Sequence, residues 1–283
     1  MPVIVPPPDA GSLTALLDAD KLPIVLAISA LEYGVIFTLR SNGVLPPKPR
    51  VLELGESNWY GDVSTNQLAD DIRKYVPDSA QQAELTNALE EIVKANRPDM
   101  SYEVARIFFR AGLDYSTYAA IDPTTPSATY RYNLNIPVPL QEQFDITLNL
   151  GTAEHIFNVQ QFFKTVHDRT APGGLMIHTA PCTGWLDHGF FNFQPTFFYD
   201  LAHVNQYQIL LCVCAELRPW RSIQIASHEH FGALMRDEKL PKNSLINIVF
   251  KKPSPAGIFA IPNQGIYGEA LSPELKHLWE KGR

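Results

Sequence analysis

VLELGESNWYGD, residues 51–62, decides how this chain is read. Val51, Leu52 and Leu54 flank Glu53 and lead to Gly55, the pattern of a buried strand that ends in a tight turn. A dinucleotide-binding turn would continue with further glycines, because a pyrophosphate needs close backbone approach at a helix N-terminus. Here Glu56, Ser57, Asn58, Trp59 and Tyr60 follow, and the next glycine is Gly61. The turn suits a ligand without phosphate, beside two large aromatic rings.

Working outward, residues 12–39 carry apolar positions at helical spacing, closed by Ser41-Asn42-Gly43, and Pro46, Pro47 and Pro49 form a stiff linker. Residues 1–48 thus read as an arm and a helical cap. Residues 63–113 are helix-rich, with an inserted helical pair at about 63–100, and SYEVARIFFRAGL (101–113) returns the chain to the sheet. TYAAID (117–122) is a second strand ending in an acid, and a short third strand is expected near 128–132. FDITLNLG (144–151) is a fourth, and IFNVQQFFKTVHDRT (156–170) the helix after it. GGLMIHTAP (173–181) is a fifth, entered by a Pro172-Gly173-Gly174 turn. YQILLCVCAEL (207–217) and LINIVFKK (245–252) complete seven strands, one of them suited to an antiparallel edge hairpin. Alternating strands and helices predict an α/β, Rossmann-like, mostly parallel and doubly wound sheet over 49–252. Residues 253–283, with four prolines, read as an irregular C-terminal arm.

Composition narrows the partners. The chain has 283 residues, 45% of them hydrophobic and 19% charged, ordinary values for a globular protein with a real core. A net charge of −7 with no basic run argues against nucleic acid. Cys182, Cys212 and Cys214 have no CxxC spacing and read as buried core thiols in a reducing cytoplasm. The N-terminus has no basic region and is broken by prolines, unlike a signal peptide. No apolar run reaches the roughly 18 residues of a membrane span, so a soluble, cytoplasmic protein is expected. A homodimer is compatible with the sequence, but nothing in it asks for one.

In an open α/β sheet, ligands bind beyond the carboxyl ends of the strands. Asp122, at the end of the second strand, is placed to accept hydrogen bonds from ribose hydroxyls; its other reading is a turn acid before Pro123. VLELG, AAID, FDITLNLGTAEHIFN and APGGLMIHTAP, in this order and spacing, resemble the motifs of class I S-adenosylmethionine-dependent methyltransferases. The likeness covers most of residues 50–252 and implies that family's seven-stranded sheet, a small-molecule acceptor and S-adenosyl-L-methionine as cofactor. It implies Gly55 beside the methionine part, Glu53 behind its amino end and Asp122 on the ribose. It places Asn133 or Leu134 beside the adenine, where relatives often carry an acid. The backbone at Asn149, Leu150, Gly151 and Thr152 would meet the amino-acid end or the sulfonium. Glu56, Ser57, Asn58 and Gly61 would bind the cofactor's polar groups. The sequence departs from the family in its single turn glycine and its long insertion.

Glu154 and His155 follow the fourth strand, and PCTGWLDHGFFNFQP (181–195) places Trp185, Asp187, His188, Phe191 and Asn192 after the fifth. Aromatic rings among a few polar groups suit a small, partly apolar ligand. His155 and His188 are candidate bases, because imidazole titrates near neutral pH. Each can equally be structural, His155 orienting its loop and His188 capping the helix at Pro195. Glu154 and Asp187 are their candidate acidic partners. His178, inside a strand, reads as a core histidine. Trp59 and Tyr60 either close over the sulfonium, whose attraction to an aromatic face is roughly 0.5–2 kcal/mol, or pack the cap helix onto the sheet. His228 and His230 in SHEH would point to one side of an extended segment, yet two histidines fall short of a zinc site, and no metal is expected.

The leading expectation is methyl transfer to a small molecule by in-line displacement in a closed pocket. A cyclase of the same fold that turns S-adenosylmethionine into azetidine-2-carboxylate and methylthioadenosine is the alternative, as is methyl transfer to an amino-acid thioether. The non-enzymatic reading is a catalytically silent cofactor-binding protein.

Overall fold

Buried strands announce themselves as apolar runs, and the computed structural model, which describes residues 28–125, 127–267 and 277, places seven strands in a mixed α/β sheet. The chain divides into two compact units. One runs up to Arg131 and includes Arg218–Trp220; the other comprises Tyr132–Leu217 and the chain from Arg221 onward.

In the first unit, β1 (Arg50–Leu54) and β2 (Thr117–Ile121) pair in parallel, with Glu53 opposite Ala120 and Leu54 opposite Ile121. Val51, Leu52 and Leu54 are fully buried, as expected of a parallel strand covered on both faces. Of the expected 12–39 helix, residues before 28 lie outside the described residues. The rest is α1 (Ala30–Ser41), started by a Ser29/Glu32 capping box and followed by Asn42 as cap and Gly43 at φ 64°. Nearly every side of α1 is apolar and buried, the mark of a core helix. The expected inserted pair is α2 (Thr65–Tyr75) and α3 (Ser79–Ala95), followed by α4 (Met100–Leu113). Helices α1 and α4 approach closely at Gly112, where a Cβ would lie 2.6 Å from Ile36 Cγ2. Around this crossing, Phe108 packs against Tyr33, Phe37, Trp59 and Phe109 at ring separations of 5.3–5.8 Å.

The expected third strand does not form as such. Residues 128–132 contribute only a single parallel bridge, Tyr130 to Ile121. Proline at 123 brings no N–H to a ladder, and the segment is polar, so little favours extending the pairing.

The second unit holds β3 (Phe144–Leu150), the 3₁₀ turn Ala153–His155, α5 (Val159–Arg169), β4 (Thr170–Thr183), α6 (Pro195–Asn205), β5 (Gln208–Leu217), most of β6 (Trp220–Gln224), α7 (His228–Arg236) and β7 (Ser244–Lys251). Strands β3 and β4 are parallel. Two expectations change here. Pro172-Gly173-Gly174 is not a turn before the strand but a bulge within β4, where Thr170 faces Phe144 and Leu175 already faces Ile146, with Gly173 at φ 80°. β7 runs antiparallel to both β4 and β5 and lies between them. Strand β6 was unforeseen. SHEH is also not extended. Ser227 caps α7 by accepting from the His230 N–H, so the two histidines occupy the helix's first turn.

Candidate functional site

The first unit builds a polar turn on β1. Gly55 sits at φ 84°, a conformation open to glycine, and donates its N–H to the Ile121 carbonyl at 2.8 Å. Glu53 is fully buried at the strand's end. The Tyr118 hydroxyl donates to its Oε2, while Oε1 has no hydrogen-bond partner. Burial pushes the Glu53 carboxyl up to about 7, against the hydrogen bonds from Ser57 and Tyr118 that lower it. Two further polar atoms of the same turn, Trp59 Nε1 and Tyr60 OH, are buried without a partner. Trp59 also packs edge-on to Tyr33 and against Phe108, at 5.9 and 5.7 Å, so its ring does hold α1 in place. The rest of the turn is fixed by its backbone: Ile28 donates to the Asn58 carbonyl at 3.0 Å, and Gly61 sits at φ 82°.

Glu56 is occupied. Arg106 pairs with Oε1, its Nε at 3.2 Å, and the Ser127 hydroxyl donates to Oε2 at 2.9 Å. Sequence reasoning missed Tyr118, Arg106 and Ser127. Tyr118 was the most legible of them, lying two residues before Ala120 on the strand beside Glu53 and on the same face.

Asp122 lies just past β2. Its Oδ1 accepts from the Thr124 N–H, the Thr124 hydroxyl and the Thr125 N–H at 2.8–2.9 Å, so it does hold the turn. Its Oδ2 accepts only the longer 3.2 Å bond from the Glu56 N–H. Burial raises its pKa, but these donors outweigh it and hold the carboxyl below its ordinary value. Asp122 is therefore a carboxylate with one oxygen committed to its own turn and the other holding a single longer bond.

In the second unit, local bonds absorb several candidates. Asn149 is fully buried; its Oδ1 accepts from the Thr152 and Ala153 N–H groups at 3.3 and 3.0 Å, and its Nδ2 lies 3.3 Å from His178 Nδ1. Asn133 is exposed, its Oδ1 accepting from Asn135, while Leu134 is buried. Gly151, at φ 83°, donates to the Thr179 carbonyl at 3.0 Å. Asn149 thus shapes the turn that presents Glu154 and His155.

That turn meets the 184–193 loop. The Phe190 and Phe191 N–H groups donate to the Glu154 carbonyl at 2.8 and 3.3 Å. A Cβ on Gly189 would lie 2.9 Å from the same oxygen, so the close approach depends on glycine. The loop is tied elsewhere by Trp185 N–H to Asn243 Oδ1 at 3.0 Å and Asn192 Nδ2 to the Gly184 carbonyl at 2.6 Å. His188 is thereby held beside Glu154, 34 positions earlier. Glu154 is 0% exposed, and neither carboxylate oxygen has a hydrogen-bond partner. Nε2 of His188 and of His155 lie 3.8 and 4.0 Å from its Oε1. His188 Nε2 and Trp185 Nε1 are also buried without partners. Asp187 is exposed at φ 62° and stays out of this cluster.

Phe191 and Asn192 instead line a cavity of about 740 Å³ with Phe157, Phe163, Phe197 and Asp200; none of Glu154, His155, His188 or Trp185 lines it. His178 is a core histidine, 1% exposed between Phe163, Phe198 and Phe250. His228 stacks on Tyr199 at 5.7 Å, and His230 Nδ1 accepts from the Ala226 N–H. Cys182, Cys212 and Cys214 are free and buried. No described helix is long and apolar enough to cross a membrane.

No protein-family model and no curated protein matches the sequence. Solved structures do. An S-adenosylmethionine-dependent methyltransferase from Mesorhizobium loti aligns at 13% identity over 78% of this chain and 97% of its own, with a TM-score of 0.41. The N-methyltransferase NodS from Bradyrhizobium japonicum WM9 aligns at 10% identity over 79% and 95%, with a TM-score of 0.38. The [4+2]-cyclase SpnF aligns at 11% identity over 86% and 90%, with a TM-score of 0.41. Most of the similar structures are S-adenosylmethionine-dependent methyltransferases.

Proposed function

We propose that the protein binds S-adenosylmethionine and transfers its methyl group to a small molecule. The observation that carries this reading is the β1 turn, which leaves Glu53 Oε1, Trp59 Nε1 and Tyr60 OH buried and unpartnered within eight residues. Such groups cost free energy unless a ligand completes them. One acceptor and two hydroxyl or indole donors suit the ammonium and carboxylate of an amino-acid ligand. Gly55 allows close backbone approach without any phosphate cradle. Asp122 Oδ2 supplies an acceptor for a ribose hydroxyl.

When bound, S-adenosylmethionine supplies a methyl group on a sulfonium, ready for in-line displacement. The chain's own task is to hold the reacting atoms in near-attack geometry and to keep water out. In this reading Glu53 meets the amine and Asp122 the ribose.

The test is to incubate the purified protein with S-adenosylmethionine, alone and with a pool of small metabolites, and to identify the nucleoside product by mass spectrometry. S-adenosylhomocysteine formed only with an acceptor is the expected result. Methylthioadenosine formed without one would replace methyl transfer by cyclisation or elimination. Asp122→Asn should keep the 122–125 turn, because the amide oxygen still accepts from Thr124 and Thr125. It should weaken S-adenosylmethionine binding by about tenfold or more, about 1.4 kcal/mol. Equal affinities in a calorimetric titration would remove Asp122 from the site.

A further inference from the structure

We propose that Glu154, His155 and His188 form a binding site for a divalent transition-metal ion. One oxygen or nitrogen from each of the three lies within 4.8 Å of the others. The donor set is one carboxylate and two imidazoles, which selects zinc, iron, cobalt or nickel over calcium and magnesium, both of which prefer oxygen.

Geometry alone does not carry the proposal. Glu154 is fully buried, yet neither oxygen accepts a hydrogen bond, and the neighbouring His188 Nε2 is buried without a partner. Taking a carboxylate out of water without compensation is expensive, and the usual remedies are a paired charge or a metal. The nearest imidazole nitrogens, at 3.8 and 4.0 Å, lie beyond hydrogen-bond reach of Oε1. They are spaced as ligands around a centre rather than as partners of one another.

Around a tetrahedral ion with bonds of about 2.0–2.1 Å, donor atoms lie roughly 3.3 Å apart. Small rotations of the His155 and His188 rings close the difference. The backbone is already set, because the Phe190 and Phe191 N–H groups and the close approach at Gly189 fix one ligand segment against the other. Three protein ligands leave at least one coordination position open, the arrangement of a site that binds water or a substrate oxygen, nitrogen or sulfur. His155, with 45% of its side chain exposed, marks the open side.

Metal binding does not depend on the methyltransferase reading and is measured without S-adenosylmethionine. Chelator-treated full-length protein is titrated with zinc chloride by calorimetry, and bound zinc is counted by elemental analysis after desalting. The expected result is one zinc per chain, with affinity in the micromolar range or tighter. Glu154→Gln and His188→Ala should each weaken binding by about a hundredfold or more, at least the loss seen when a supporting residue outside the ligand set is removed. His155→Ala changes a half-exposed ring and keeps the proposal testable if a buried variant fails to fold. His228→Ala should leave binding unchanged. Wild-type protein that retains no zinc, or a folded His155→Ala or Glu154→Gln variant that binds it as tightly as wild type, would overturn the assignment.

Discussion

Between pH 6.5 and pH 3 the protein should lose stability at about 1.4 kcal/mol per pH unit from His178 alone, roughly 5 kcal/mol in all. Burial pushes this imidazole from its ordinary 6.5 down to about 3. It lies 1% exposed among Phe163, Phe198 and Phe250. An unfolded chain takes up a proton at His178 as the pH falls through 6.5, while the folded chain does not until about 3. Each unit of acid in that window therefore favours unfolding. His178→Phe should remove the slope at a cost, because Asn149 Nδ2 loses the nitrogen 3.3 Å away. That cost is about 1–3 kcal/mol for a buried donor left unpaired. Urea denaturation at a series of pH values should give crossing curves: the variant less stable at pH 8 and more stable at pH 4. Parallel curves would show that His178 titrates normally.

Glu53 should act in the opposite direction. Its carboxyl is raised from 4.5 to about 7, so between those values the folded state holds a proton that the unfolded chain has released. Stability then falls as the pH rises through the window, by roughly 3 kcal/mol across it. Glu53→Gln should abolish that fall and leave the protein more stable than wild type at pH 8. The same variant tests the proposed cofactor contact. A cationic amine on Glu53 favours the carboxylate, so S-adenosylmethionine should bind more tightly at pH 8 than at pH 6 and release a proton on binding. Glu53→Gln should lose both effects. Calorimetry in two buffers of different ionisation enthalpy counts the protons, and a count of zero in wild type would remove Glu53 from the ligand. Because Glu53 and His178 lie in different units, their slopes need not appear in a single transition.

The strands were legible because their apolar runs are long and bounded by turn residues, as in Phe144–Leu150 and Ser244–Lys251. Their order in the sheet was not. Nothing local in Ser244–Lys251 says that it enters between β4 and β5, because the choice is made by tertiary pairing. Pro172-Gly173-Gly174 carried a turn signal, and a bulge uses the same residues for the same backbone freedom. SHEH was misread although Ser227 stands three residues before His230 and the apolar Phe231 and Leu234 follow at helical spacing. Of the candidate sites, the Glu53–Gly55 turn was visible because its parts are adjacent in sequence. Glu154 and His188 were each singled out as well. Their convergence was not visible, since it depends on Gly189 reaching the Glu154 carbonyl.

The reversed strand β7 has a consequence for synthesis. β4 and β5 meet only through Ser244–Lys251, near the end of the described chain. A nascent chain that has emerged only as far as residue 240 carries two strands with unsatisfied edges and no means of joining them. The ribosome must deliver Ser244–Lys251 before the second unit can close, however early β3 and β4 pair.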